Sequence, residues 1–454
     1  MSDLNPKIWP SSAKRENGEI SIGDCAATAL AAKYGTPIFV LDESDFAARA
    51  ENWLLGLRAT FQENAGSVFY AGKAFLSVEI AKAIAKLGLN LDVCTGGELA
   101  VAVAAKFPPA RIEMHGNNKS EKEIEAALEY GIATIVLDSL HEIERVARLA
   151  KARNLTQKVL IRLNPGVEAH THEYITTAIE DVKFGFSIAS GASWEAVQLI
   201  LKSPNLKLVG VHSHIGSQIF TSAAFDATAV KLLEFMKRYR DEFNAELPDL
   251  IIGGGFGITY VEGDDSIEIA TLLSQINQVV IENCKLSGLS IPKVSIEPGR
   301  AIVGPAMVTL YTVGTTKEVA LETGMKRLYV SVDGGMSDNI RTSLYGAEYT
   351  VRLANRNSGA TERECRIVGK HCESGDVIIQ SAMLPSDIKP GDLLMVAATG
   401  AYGRSMASNY NHVPRPGVIA VHSGKARTII RSETTADLLA LDVEESAEPI
   451  GERS

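Results

Sequence analysis

The sequence predicts an α/β chain: a (β/α)8 TIM-type barrel followed by a C-terminal all-β domain. Three observations carry this. Eight short apolar runs alternate with helix-period segments before residue 300. Polar residues gather where those runs end. Beyond residue 300 the helical segments give way to β-branched runs broken by Gly, Pro and Asp turns. An open doubly wound sheet is the alternative arrangement of the same alternation.

The strand-like runs are VFYAG (68–72), LDVC (91–94), RIEMHG (111–116), TIVLD (134–138), KVLIRLN (158–164), LVGVHSHIG (208–216), DLIIGGG (249–255) and KVSIEPG (293–299). Segments such as SVEIAKAIAKLG, SEKEIEAALEYG and SLHEIERVARLAKAR lie between them with helical spacing of their apolar residues. The barrel is therefore expected over residues 36–300. MVTLYTVGTT, RLYVSVDGG, YTVRLA, DVIIQSAML and DLLMVAATGAYG follow, and PSDIKPGDLL and HVPRPG mark reversals. Residues 301–432 are expected to form the β domain together with 1–35, which lack a barrel strand. The acidic end, 433–454, reads as a disordered tail.

Composition narrows the function. With 454 residues, 46% hydrophobic and 22% charged, the chain can build two sizeable cores. A formal net charge of −10 and a pI near 5.5 disfavour a nucleic-acid surface and leave small-molecule chemistry. No signal-peptide pattern and no run of membrane-spanning length occurs, so a cytoplasmic protein without a membrane partner is expected. The five cysteines form no CxxC pair and read as reduced thiols.

Lys73 ends the first strand, in FYAGKAF. Apolar walls would lower the pKa of its amine and leave it free to attack a carbonyl, the behaviour of a Schiff-base lysine; a lysine snorkelling to solvent is the alternative. Asp92, His115, Arg162, His212, His214, Gly253–Gly255 and Glu297 fall at the other strand ends. The loops GGGFG and EPGR follow the seventh and eighth strands, where barrels commonly hold a phosphate, although a triple glycine also suits a plain tight turn. Lys73 and these loops together suggest pyridoxal 5'-phosphate, which carries both an aldehyde and a phosphate. Glu297 would then keep the pyridine nitrogen protonated, or else is a solvated strand-end acid. His212 and His214, with His170 and His172, leave open a metal-dependent barrel hydrolase, but the first strand offers no HxH.

FYAGKAF, LDVCTGGEL, HGNNKS, HSHIGSQ, GGGFG, EPGR, VDGGMSDNIR followed by LYGA, CESGD and GAYG occur in one order. In that order the chain resembles the group IV pyridoxal-phosphate decarboxylases of the alanine-racemase fold (PLP fold type III), and among them the diaminopimelate decarboxylases. IWP, GTPIFVLDE and AHTHEYITTA extend the likeness over about residues 8–425. The resemblance implies decarboxylation of meso-2,6-diaminopimelate to L-lysine in lysine biosynthesis. It makes Lys73 the cofactor lysine, His214 the residue stacked on the ring, and Glu297 the partner of the ring nitrogen. Ser217, Gly254, Gly255, Gly257, Arg300 and Tyr402 would hold the cofactor, chiefly its phosphate. Arg300, Arg341 and Tyr345 would hold the distal carboxylate, Glu373 the distal amine, and Tyr402 both substrate and cofactor. Cys372 would protonate the product from the partner subunit of a homodimer; read from the residues alone it is equally a small buried hydrophobe. Two arginines favour a dicarboxylate over ornithine, arginine or lysine, whose cationic tails would prefer an acid. A non-catalytic cofactor-binding homologue is the remaining alternative.

Overall fold

The structure, a computed structural model, describes residues 4–167, 183–321, 324 and 326–443. The loop AHTHEYITTA, with His170 and His172, lies outside the described residues. Eight parallel strands close a barrel: β1 (Ala65–Ala71), β2 (Asn90–Val93), β3 (Ile112–Met114), β4 (Thr134–Leu137), β5 (Gln157–Asn164), β6 (Leu206–His212), β7 (Asp249–Ile251) and β8 (Lys293–Ile296). β4 pairs with β5, Ile135 opposite Val159, and β8 returns to β1, Val294 opposite Ala65. Each run read from the sequence forms one of these strands.

The intervening helices carry their own end signals. Ser77, Ser120 and Ser139 each accept the N–H three residues on, starting Val78–Leu87, Glu121–Tyr130 and Leu140–Ala152. Such a cap contributes about 1 kcal/mol. Gly88 and Gly131 end the first two in the left-handed conformation that glycine adopts without a Cβ clash.

Side-chain alternation then decides what the barrel mouth contains. Leu91 and Val93, Ile112 and Met114, and Val294 and Ile296 all pack in the core shared with the helices. With a period of two, Asp92, Glu113, His115 and Glu297 must face inward. Burying each outward aliphatic stabilises by roughly 1.5–3 kcal/mol, which outweighs the cost of an inward polar group that finds a partner. Phe69, Val136, Leu160, Val209 and Ile251 form a separate small cluster from five of the strands.

In the second domain the long strand Met307–Ala320 is the spine. Its first half pairs with Ile38–Asp42 and Leu393–Val396, and its second half with Lys326–Val332. Glu362–Val368 and Val377–Pro385 extend the sheet on one side, Val418–His422 and Lys425–Ile430 on the other. Ile38–Asp42 falls within the range expected for the barrel but joins this sheet instead. All five of its residues are buried, and a continuous apolar run has no alternation to tell a central strand of one sheet from the other. We therefore propose a domain boundary after Asp42. Trp9, Ile20 and Ile22, from before residue 35, share a core with Val308, Leu310, Met395 and Ile419. The tail expectation fails for 433–443: Thr434 caps a helix over Thr435–Leu439, and Glu433 accepts hydrogen bonds from Asn409 and Arg415. Among the described residues no helix is long and apolar enough to cross a membrane.

Candidate active site

β1 ends at Ala71, and a short turn, Gly72–Ala74, carries Lys73 into the barrel mouth, where its side chain is exposed to a cavity. Gly72 is required there, because a Cβ would lie 2.9 Å from the Asp92 carbonyl oxygen. Lys73, His214, Ser217, Gly255, Glu297 and Arg300 line this cavity, and Arg341, Tyr345 and Tyr402 close it from the second domain. An adjoining hollow shares Lys73, His214 and Glu297 and adds Asp92, His115 and Arg162.

The floor is acidic and imidazole-rich. Glu297 Oε1 lies 3.0 Å from His212 Nε2 and 3.3 Å from His115 Nε2. His115 Nε2 also meets Glu113 Oε1 at 2.8 Å and Asp92 Oδ1 at 3.6 Å. Burial disfavours a charged His115, but Asp92, Glu297 and Glu113 outweigh it and push its pKa up to about 10. Burial alone would raise Glu297; His212 and His115 instead hold it well below the usual carboxylate range. Because burial keeps His212 below its ordinary value, the positive charge beside Glu297 sits on His115. Asp92 takes the burden of the crowding: burial pushes it up to about 7 despite His115. Held protonated, His115 Nε2 serves this cluster as a cation, with its hydrogen bond made to Glu113.

Lys73 departs from the expectation of apolar walls. Burial pulls its pKa down, but Tyr402, Cys94, Asp92 and Glu297 outweigh that and raise it. His214 is the reverse case: burial, then Lys73 and Arg162, depress it well below the ordinary value. Its Nδ1 accepts the Gly254 N–H at 3.2 Å, so the ring is a neutral, fixed plate at the cavity wall.

Backbone contact draws three loops into one wall. A Cβ on Gly254 would fall 2.2 Å from the Glu297 carbonyl oxygen, and one on Gly255, at φ +100°, 2.3 Å from that of Gly216. Of the glycines expected to contact a phosphate, Gly255 lines the cavity. Gly254 spends its N–H on His214, and Gly257 donates to the Ile219 carbonyl and packs on Phe220, so both shape the turn instead. Arg300 donates to Ser217 Oγ at 2.6 Å and to Tyr260 Oη at 2.7 Å, and its guanidinium lies 4.7 Å from the Tyr402 ring centre. Tyr402, held at φ 62° with its N–H on the Ala74 carbonyl at 2.9 Å, ties the second domain to the Lys73 turn.

Arg341 opens the short helix Arg341–Tyr345 and donates to Tyr349 Oη at 2.6 Å, with its guanidinium 4.9 Å from the Tyr260 ring centre. Its Nε is buried without a partner. Burial would raise Tyr260, but Arg300 and Arg341 lower it. Among the described residues, neither buried guanidinium makes an ion pair with a carboxylate; both rest on phenols. Buried cations left in that state call for an anionic ligand.

Cys372 and Glu373 are not brought to this cavity. Both are exposed, on the loop between Glu362–Val368 and Val377–Pro385. That loop is built: Asp376 accepts from the N–H groups of Met336 and His371 at 2.6 and 2.7 Å, and His371 Nε2 meets Ser337 Oγ at 2.8 Å. Sequence reading gave no role to Tyr260 or Tyr349, which hold the arginines, and left His115 as one strand-end polar residue among several. The signal for His115 was its place two residues after Glu113, both inward in alternation with Ile112 and Met114.

The residues present fit pyridoxal 5'-phosphate. An amine stands in the same cavity as an ionised carboxylate, a neutral imidazole plate, and a wall of Ser217, Gly255 and Arg300 with no acid of its own. The chain matches the pyridoxal binding domain of the pyridoxal-dependent decarboxylases over residues 44–304. It is 50% identical over 445 residues to the diaminopimelate decarboxylase of Mycobacterium tuberculosis (strain H37Rv), covering 97% of this chain and 98% of that one. The structure of diaminopimelate decarboxylase from M. jannaschii, in complex with L-lysine, superposes with a TM-score of 0.88 at 31% identity over 96% of this chain and 98% of that one. The Helicobacter pylori enzyme, also with L-lysine, gives 0.81 at 30% over 91% and 98%. A pyridoxal-dependent decarboxylase domain with an amine, a carboxylate and two acid-free guanidiniums at its mouth, in a chain alike from end to end, belongs to the diaminopimelate decarboxylase family.

Proposed function

We propose that this enzyme decarboxylates meso-2,6-diaminopimelate to L-lysine and carbon dioxide, the last step of lysine biosynthesis, with pyridoxal 5'-phosphate on Lys73. When bound, the cofactor supplies an aldehyde that captures an amine and a protonated ring that accepts the electrons released as carbon dioxide leaves. Lys73 Nζ would hold the cofactor by its aldehyde and would give up that place to the substrate amine. Glu297, kept ionised by its neighbours, would hold a proton on the ring nitrogen, and His214, the fixed neutral plate at the cavity wall, would support the ring. Ser217, Gly255, Arg300 and Tyr402 bind the phosphate, with Gly254 and Gly257 shaping the turn.

Arg300, Arg341 and Tyr345 take the distal carboxylate. That carboxylate satisfies charges which the chain leaves on phenols, and this is the observation that carries the choice of substrate. Glu373 binds the distal amine and Cys372 Sγ delivers a proton to the substrate carbon, both from the second subunit of a homodimer. Support for sharing comes from the exposed, well-anchored loop that carries them in this chain. The enzyme works in the cytoplasm on a small amino acid. Carbon dioxide release should be measured for meso-diaminopimelate, ornithine, arginine and lysine. Turnover of the first alone is expected; comparable turnover of ornithine would overturn the arginine argument while leaving the cofactor reading in place.

A further inference from the structure

We infer that His115 is a positioning residue for this reaction: spanning Glu113 on its own strand and Glu297 on the last barrel strand, it fixes the Glu297 carboxylate and selects it as the ionised one. The inference rests on the reading of Glu297 as the partner of the cofactor's ring nitrogen.

Three carboxylates converge on one nitrogen. Glu113, Glu297 and Asp92 oxygens lie 2.8, 3.3 and 3.6 Å from His115 Nε2, in a region where all four residues are at most 5% exposed. Three dry carboxylates so close cannot all stay ionised without a cation among them, and one with a weak partner takes up a proton. The surroundings settle which. Thr134 Oγ1 donates to the second oxygen of Glu113 at 2.9 Å, so Glu113 is held from two sides. Glu297 Oε1 has both imidazoles within ion-pair distance but no hydrogen bond of its own, so the charge on His115 is what holds it. Asp92, the farthest from Nε2, is the acid driven toward the neutral form. His212 stands edge-on to His115, ring centres 4.7 Å apart at 68°, and keeps the ring from swinging away.

The other charged groups around the ring fit this order, Arg162 on β5 being paired with Asp138 at 3.7 Å. Glu98, on the helix after β2, feels His115 but is bound to the Cys94 N–H; Lys73 faces Asp92 and Glu297; Asp249 on β7 feels Glu113. Lys119, on the loop after β3, is taken by Glu142 and two carbonyl oxygens and sends no free charge inward. Among the described residues His115 is thus the cation that stands between Glu297 and Glu113, hydrogen-bonded to the second and in ion-pair contact with the first, and replacing it hands the choice to whichever acid protonates most readily.

The test uses the full-length protein stripped of cofactor and then reloaded. Labelled-histidine NMR of the stripped protein should show both ring nitrogens of His115 protonated at pH 8. Titration with pyridoxal 5'-phosphate should show H115Q binding weaker by roughly ten-fold or more, because Glu297 loses the buried cation beside it. E113Q should fall between H115Q and wild type, and H115Q/E297Q should bind no worse than E297Q. A His115 ring that is neutral at pH 7 overturns the inference, and this readout needs no variant to fold. Full affinity in H115Q with weakened E297Q overturns it while sparing the role of Glu297. Full affinity in E297Q removes that role and the inference together.

Discussion

Tyr349→Phe isolates what the phenols do for the arginines. The hydroxyl of Tyr349 accepts from Arg341 Nη1 at 2.6 Å, and Nε of the same guanidinium is already buried without a partner. A hydrogen bond to a charged group is worth roughly 1.5–3 kcal/mol, so a complete loss of orientation would cost about ten- to a hundred-fold. The guanidinium keeps its place over the Tyr260 ring, 4.9 Å from the centre, and that contact retains part of the alignment. The expected fall in kcat/KM for meso-diaminopimelate is therefore roughly three- to thirty-fold, carried mainly by KM because the interaction is made with a part of the substrate remote from the bond that breaks. Carbon dioxide release measures it, and cofactor affinity, measured separately, should stay at the wild-type value. Tyr349→Phe in an Arg341→Gln background should then cost almost nothing more. Additive losses in that double variant, or a parallel loss of cofactor affinity, would refute the reasoning, because the hydroxyl would be acting on something other than Arg341.

Lys73→Ala should abolish both the visible absorption of the bound cofactor and its capture by borohydride; peptide mapping of the reduced wild-type enzyme should find the label on Lys73. Lys73→Ala and Cys372→Ala, each nearly inactive alone, should recover roughly a quarter of wild-type activity when their subunits are mixed, since half of the dimers then hold one intact site of two; no recovery means that each subunit is self-sufficient. The cofactor-free protein should lose thermal stability as pH rises from about 7 toward 10. His115 is raised to about 10, so its contribution is complete below the unfolded histidine value of about 6.5 and is lost as pH climbs through the folded one. Asp92, raised to about 7, has the same sign, whereas Glu297, held low, contributes above about 4.5 and loses its contribution only on acidification. His115→Gln should flatten the alkaline limb of that profile.

Strand order and strand ends were legible because a period-two pattern and a polar terminus are local properties. RIEMHG states in six letters that Ile112 and Met114 face the helices and that Glu113 and His115 do not. What such a pattern cannot state is what an inward side chain meets. Lys73 read as an amine against apolar walls, yet Tyr402 from the second domain and Cys94, Asp92 and Glu297 from other strand ends reverse the sign of its shift. Ile38–Asp42 failed for the opposite reason, having no alternation at all. Glu362–Val368 escaped notice because polar residues dominate ERECRIV, although Cys365 and Ile367 are its buried face. Tyr260 and Tyr349 lie far apart in sequence and become a pair, 5.3 Å between ring centres, only when the second domain folds over the barrel mouth.

The two sides of Lys73 carry opposite charge, and that separation explains why one amine can serve both cofactor and substrate. Toward Asp92 and Glu297 the field favours a cation, which keeps Lys73 protonated in the absence of cofactor. Toward Arg300 and Arg341 it favours anions, and the phenols there accept one hydrogen bond from each guanidinium without neutralising it. An acid in place of either tyrosine would pair with its arginine and remove the demand for a carboxylate on the ligand. The phenols thus hold two cations ready at the cost of leaving them uncompensated, which is the arrangement expected of a site built to discriminate a dicarboxylate from an amino acid with a cationic tail.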